Sequence, residues 1–175
     1  MNVDGSAQGY AASAALQLGP PGKLADIQLK LQGSPERIHL QQLDVTQPAG
    51  LLSLAGRIDL QPALSWKLDA LASHFDPGAF AAAWPGDLSF KLASSGQIHE
   101  AGPQGTFKLT ELKGRLRNRE LTGFANLDLL PRKVLAGTMD VRSGKSRLQV
   151  RGDSGEAMSV AAYMEIGRAS CRERV

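Results

Sequence analysis

Along most of this chain apolar and polar residues alternate. Ile27, Leu29 and Leu31 interleave with Asp26, Gln28 and Lys30. Leu52, Leu54, Ile58 and Leu60 share one parity, with Gly56 in register among them. Leu64, Trp66 and Leu68 repeat the pattern, as do Leu88, Phe90 and Leu92, then Phe107 and Leu109. Leu127 with Leu129, Leu135 with Met139 and Val141, and Leu148 with Val150 complete it. The opposite parity carries Arg57, Asp59, Lys67, Asp69, Lys91, Lys108, Asp128, Asp140, Arg147 and Arg151. A period of two is that of a strand with one apolar and one wet face. Leucine is a mediocre strand former, so the pattern carries the assignment and intrinsic propensity does not.

Turn chemistry punctuates these runs every eight to fifteen residues or so, the rhythm of many short strands. Gly19-Pro20-Pro21-Gly22, Gly33-Ser34-Pro35, Gln47-Pro48-Ala49-Gly50, Gln61-Pro62 and Asp76-Pro77-Gly78 are such clusters. So are Trp84-Pro85-Gly86-Asp87, Ser94-Ser95-Gly96, Gly102-Pro103-Gln104-Gly105, Leu130-Pro131, Ser143-Gly144-Lys145 and Gly152-Asp153-Ser154-Gly155. Glycine supplies positive φ and proline presets the first turn position. One short helix is predicted over 77–84: Asp76 can cap it, Pro77 suits its first position and Pro85 ends it. The Ala-rich stretch 7–18 reads equally as helix or as a strand entering at Tyr10. Strands without helices between them pair with their sequence neighbours, which excludes parallel α/β folds. The expected fold is all-β, an antiparallel meander that buries its apolar face as a sandwich, a barrel or an elongated open groove.

The 175 residues are 42% hydrophobic and 21% charged, which suits a globular domain and excludes wholesale disorder. No run approaches eighteen consecutive apolar residues, so no transmembrane helix is predicted, and residues 1–6 do not resemble a signal peptide. The tail, Ile166-Gly167-Arg168-Ala169-Ser170-Cys171-Arg172-Glu173-Arg174-Val175, resembles the in-frame translation of a common sequencing-library adapter. Residues 165–175 are therefore expected to be a scar of DNA handling, and residues 1–164 an internal segment of a larger protein. Setting the tail aside removes the single cysteine and lowers the net charge from +3 to +2.

Catalytic and metal chemistry find little support. His39, His74 and His99 stand at no ligand spacing from one another, so no metal site and no cofactor are predicted. Ser143-Gly144-Lys145-Ser146 looks like the end of a phosphate-binding loop, but Met139 occupies the position that needs glycine, and the flanks read as strands. Gly-x-Ser-x-Gly is absent, and no acid, base and nucleophile fall together, so an enzyme is not expected. Lys113, Arg115, Arg117 and Arg119 share one parity opposite Leu112 and Leu116, which reads first as a solvated outer face and second as a phosphate contact. Without aromatic platforms beside them, no nucleic-acid partner is predicted.

From Leu60 to Gly96 the order of features resembles the TamB family of AsmA-like proteins. A strand through Ser65-Trp66-Lys67-Leu68 leads to His74-Phe75-Asp76-Pro77 and a short helix. Trp84-Pro85-Gly86-Asp87-Leu88 then opens a strand to Gly96. Gly105-Thr106-Phe107, Leu112-Lys113-Gly114-Arg115-Leu116, Leu121-Thr122-Gly123-Phe124-Ala125-Asn126 and Leu52-Ser53-Leu54-Ala55-Gly56-Arg57-Ile58 fit its repeated layout, and the looser match runs from about 25 to 160. The resemblance implies a slice of a taco-like β-groove with an apolar interior. It implies a periplasmic location within a protein anchored in the inner membrane by a segment outside this chain. It further implies roles in phospholipid transport and in protein assembly in the outer membrane, with a TamA-like outer-membrane partner met through other parts of the protein.

On that reading the partners are phospholipid acyl chains. The candidate lining is Ile27, Leu29, Leu31, Leu52, Leu54, Ile58, Leu60, Leu64, Trp66, Leu68, Leu88, Phe90, Leu92, Phe107, Leu109, Leu127, Leu129, Leu148 and Val150. The rival is a closed β-sandwich, a binding or adhesive module of a surface protein, in which the same stripe is ordinary core.

Overall fold

The computed structural model describes residues 2–6, 8–20, 22–130, 134–152 and 158–163. Twelve strands follow one another: β1 Asn2–Ser6, β2 Gly9–Leu18, β3 Ala25–Gly33, β4 Arg37–Thr46, β5 Leu51–Asp59 and β6 Ser65–Phe75. After a 3-10 turn η1 at Pro77–Ala79 come β7 Gly86–His99, β8 Gly102–Leu116, β9 Arg119–Leu130, β10 Val134–Ser143, β11 Ser146–Gly152 and β12 Met158–Tyr163. All twelve form one antiparallel sheet in strict sequence order. Neither end of that order pairs with the other, and among the described residues substantial contacts join only elements adjacent in sequence. The sheet is an open meander. Among the described residues the two facing layers of a sandwich are not formed.

Antiparallel partners project to the same side, so the register fixes which residues share a face. One row crosses ten strands without a polar residue: Ala14, Leu29, Leu43, Leu54, Ala70, Leu92, Leu109, Ala125, Met139 and Val150. At about 4.8 Å between strands this row is roughly 43 Å long. A parallel row begins Ala12, Leu31, Leu40, Gly56 and Leu68, and continues through Ser94, Phe107 and Leu127. The other side carries Lys30, Asp44, Arg57, Asp69, Lys91, Lys108 and Asp140.

Three bulges interrupt the ladder on alternate strands. On β4, Gln41 and Gln42 oppose Ala55 alone; on β6, Ser73 and His74 oppose Ser89; on β8, Thr110 and Glu111 oppose Phe124. His74 (φ 51°) and Glu111 (φ 55°) take the left-handed conformation at these points. A bulge bends its strand and strengthens local twist, so a row of them curls the meander into a groove.

Several expectations change in detail. The helix expected over 77–84 is reduced to the single turn Pro77–Ala79. Asp76 caps it as expected, but three alanines before Pro85 are too few to repay the cost of nucleating an α-helix. Ser94-Ser95-Gly96 and Gly102-Pro103-Gln104-Gly105, read as turns, lie inside β7 and β8. Here glycine marks a close approach within a strand: a Cβ on Gly96 would come within 2.5 Å of Trp66 Cζ2, and one on Gly105 within 3.2 Å. The Ala-rich start is strand β2, and Ser143–Ser146 is a hairpin turn. Arg119 does not continue the parity of Lys113 and Arg115. The Arg117-Asn118 turn reverses the chain, Arg119 pairs with Leu116 on the apolar face, and Arg115 pairs with Glu120 on the polar one. The adapter-like tail 165–175 lies outside the described residues.

Candidate functional site

The apolar face is the candidate site, and its notable property is how little of it is covered. Among the described residues the buried apolar ones are Ala25, Val45, Ala72, Ala79, Leu88 and Ala125, and no large side chain is fully enclosed. Along the central row Leu29, Leu43, Leu54, Leu92, Leu109, Met139 and Val150 are all half-buried. Phe107 keeps 40% of its surface. A 175-residue chain ordinarily encloses its large side chains in a core. Here the leucines are packed edge to edge along the sheet and left open above it.

Trp66 shows how the face is shaped. Its ring lies across the cleared ground of Gly96 and Gly105, and its Nε1–H donates to Ser94 Oγ at 3.0 Å. The indole is thus laid flat along the sheet with its polar atom satisfied, and presents an apolar surface. Tyr10 lies over Gly33 in the same way, where an added Cβ would collide with the phenol ring.

Five of the six buried apolar residues (Ala25, Val45, Ala72, Ala79 and Leu88) belong to one rim, where a polar knot ties three connections together. Gln47, itself buried, donates from Nε2 to the Asp76 carbonyl (2.8 Å) and accepts at Oε1 from the Asp76 N–H (2.7 Å). Asp76 Oδ1 accepts from the N–H groups of Gly78 and Gly86, both at 2.8 Å, and Oδ2 accepts from Lys23 Nζ at 3.1 Å. Desolvation raises the Asp76 carboxyl, but the Gly86 and Gly78 N–H groups and Lys23 outweigh it and hold the group below its ordinary value. Phe75 and Phe80 stack beside the knot with ring centroids 6.1 Å apart.

The polar face is laced by ion pairs. Arg37 and Arg57 hold Asp59, and Arg147 and Arg142 hold Asp140. The hydrogen bonds from Arg37 and Arg147 depress these two carboxyls against desolvation. Lys91 pairs with Glu111 at 2.6 Å and so bridges β7 to the β8 bulge. A hollow of about 450 Å³ lies on this face above Ser53, Ala55, Asp69, Leu71, Lys91 and Lys108. A twisted sheet is saddle-shaped and hollow along one diagonal on each side, which accounts for a depression opposite the apolar face. His74 Nδ1 lies 3.0 Å from Asp87 Oδ1 in an exposed pair.

The structure brings most of the expected lining together. Ile27, Leu29 and Leu31 of β3, Leu52, Leu54 and Ile58 of β5, and Trp66 and Leu68 of β6 share the apolar face. Leu88, Phe90 and Leu92 of β7, Phe107 and Leu109 of β8, Leu127 and Leu129 of β9, and Leu148 and Val150 of β11 share it too. Leu60 and Leu64 lie outside the strands, in the β5–β6 connection, where the Leu60 N–H donates to the Glu36 carbonyl and the Leu64 carbonyl accepts from the Ile98 N–H. Missed altogether were Ile38, Leu40, Leu43 and Val45 of β4, because the Gln41–Gln42 bulge switches their parity from even to odd midway. Ala12, Ala14, Ala70 and Ala72 escaped notice as small residues.

A family model described as TamB, N-terminal domain, matches residues 1–168. The chain belongs to the TamB family. No curated protein and no solved structure matches it. For a TamB-family chain the single open meander with one apolar face is the layout that the resemblance implies. No helix among the described residues is long and apolar enough to cross a membrane.

Proposed function

We propose that this chain is a segment of a β-groove that shields phospholipid acyl chains from water during transport to the outer membrane. On this reading it serves within an inner-membrane-anchored, periplasm-spanning protein that also assists protein assembly in the outer membrane. A TamA-like partner engages other parts of that protein. The proposed lining is the set of half-buried side chains on the apolar face, from Ile27 to Val150. One observation carries the reading: a continuous apolar row crosses ten strands, and no described residue outside the sheet packs over its centre. Exposing an acyl chain to water costs about 0.8 kcal/mol per methylene, so a roughly 43 Å apolar row removes most of the barrier to moving one. One bilayer leaflet is about 15 Å of hydrocarbon, so the row holds more than one lipid along its length. Surface alone does this work, and no reacting group is required.

Photo-crosslinking residues at Trp66 and Phe90, with Lys67 and Lys91 as controls on the opposite face, test it. Phospholipid adducts are expected at the first pair only. Equal adducts at all four, or none at any, would reject the groove reading.

A further inference from the structure

The rim that holds η1 also gathers two hairpin turns. The Arg117 N–H donates to the Pro85 carbonyl at 2.8 Å, and the Gly144 N–H to the Glu120 carbonyl at 2.9 Å. Arg117 (φ 51°) and Asn118 (φ 62°) are both left-handed, the conformation of a two-residue hairpin turn. Asparagine accepts it readily. Arginine does not, and its placement there is a strain of the kind that collects at functional positions.

That conformation sets the Arg117 guanidinium over the Trp84 ring, 5.3 Å from its centroid. It also turns Arg119 onto the apolar face opposite Leu116. Trp84, Leu116, Arg117, Arg119 and Ser143 together line a hollow of about 350 Å³. Elsewhere Arg37, Arg57, Arg142 and Arg147 all have carboxylate partners. Among the described residues no ion pair engages Arg117 or Arg119. One row inward the face is Leu121, paired with Gly114, and then Leu112 with Gly123.

We propose that this rim hollow binds the phosphodiester headgroup of a lipid whose acyl chains lie on the adjoining apolar face. The inference rests on the acyl-shielding reading and adds to it a selection for anionic phosphate. Two arginines line the one hollow, and a guanidinium fork can hold a phosphate by parallel hydrogen bonds; Ser143 adds a hydroxyl, and Trp84 supplies the half-wet aromatic surface suited to a headgroup boundary. The unpaired positive charge sits where the apolar lining begins, which matches an amphiphile with a negative head.

The test measures binding of short-chain phosphatidylglycerol, and of diacylglycerol with the same chains, to the full chain. The Arg117→Gln/Arg119→Gln variant is compared with Lys113→Gln/Arg115→Gln, whose side chains lie on the polar face. The first variant is expected to lose phosphatidylglycerol affinity about ten-fold or more and to keep diacylglycerol affinity within about two-fold, and the second to change neither. Arg117→Asn relieves the left-handed strain, so it should weaken phosphatidylglycerol binding while keeping or raising the melting temperature. Equal loss of both lipids, or equal effects of both double variants, would overturn the headgroup site while sparing the acyl reading. Full competition by inorganic phosphate at concentrations that leave the acyl-chain dependence absent would assign the hollow to a free anion and overturn the lipid source. Binding of neither lipid by the unsubstituted chain would overturn the acyl reading and the headgroup site together.

Discussion

Two parts of the same apolar face meet opposite fates. At the η1 rim, Ala25 (0% exposed), Ala72 (2%) and Val45 (7%) are closed off, and the Gln47–Asp76 knot ties the connections around them. A few residues further along the same strands, Leu29, Leu43, Leu54 and Leu92 are just as apolar and lie half open. Apolar character does not distinguish the two ends. What differs is that the rim is sealed with small side chains and a satisfied polar clamp, whereas the middle has large side chains and none of the described residues above them. The rim therefore contributes stability, and the middle presents a surface whose burial has to come from something else.

Placing a charge in each region separates them most widely. Ala72→Asp puts an unpaired carboxylate in the sealed rim and should cost more than about 3 kcal/mol, read as a collapse of the urea midpoint. Leu92→Asp, on the open row, should cost only about 1 kcal/mol and leave the fold intact while weakening lipid binding. Equal destabilisation by the two would remove the distinction between rim and middle.

The clamp itself comes next. Gln47→Ala strips both hydrogen bonds from the Asp76 backbone and should cost about 1–3 kcal/mol. Gly96→Ala should destabilise by a similar amount, because its Cβ would meet the Gln104 carbonyl as well as the Trp66 ring. Its distinguishing sign is a change in Trp66 emission, which Gln47→Ala should not produce.

The smallest effect is that of pH. The folded-state pKa of Asp76 is held below its ordinary 3.8, so its contribution is present above that value and fades as pH falls through the depressed folded value. The stability gap between the unsubstituted chain and Asp76→Asn should accordingly be constant near neutrality and narrow below about pH 3.8. A gap that widened on acidification would contradict the assignment of the knot.

Much of the face was legible in the sequence because strand periodicity is strict: Trp66, Leu68, Phe90 and Leu92 fall on one side by parity alone. The bulges were not legible. A bulge inserts one residue and reverses parity, so β4 reads as two unrelated fragments, Ile38 with Leu40 and Leu43 with Val45. Glycines inside β7 and β8 read as turns in the sequence because nothing local says that Trp66, some thirty residues upstream, needs the space. The position of Arg119 depended on counting a two-residue turn, and one residue more or less would have returned it to the polar side. The openness of the face is a property of topology. Only the linear strand order and the lack of a facing layer reveal it.

The most direct measurement uses the two tryptophans of the chain. In a Trp84→Phe background Trp66 is the only indole, and phospholipids brominated along the acyl chains are added while its emission is followed. An occupied apolar face predicts strong quenching by the brominated chains, together with protection of Trp66 from aqueous iodide. Emission indifferent to the brominated lipid, with iodide access unchanged, would mean that the open face holds no acyl chain and would contradict the account.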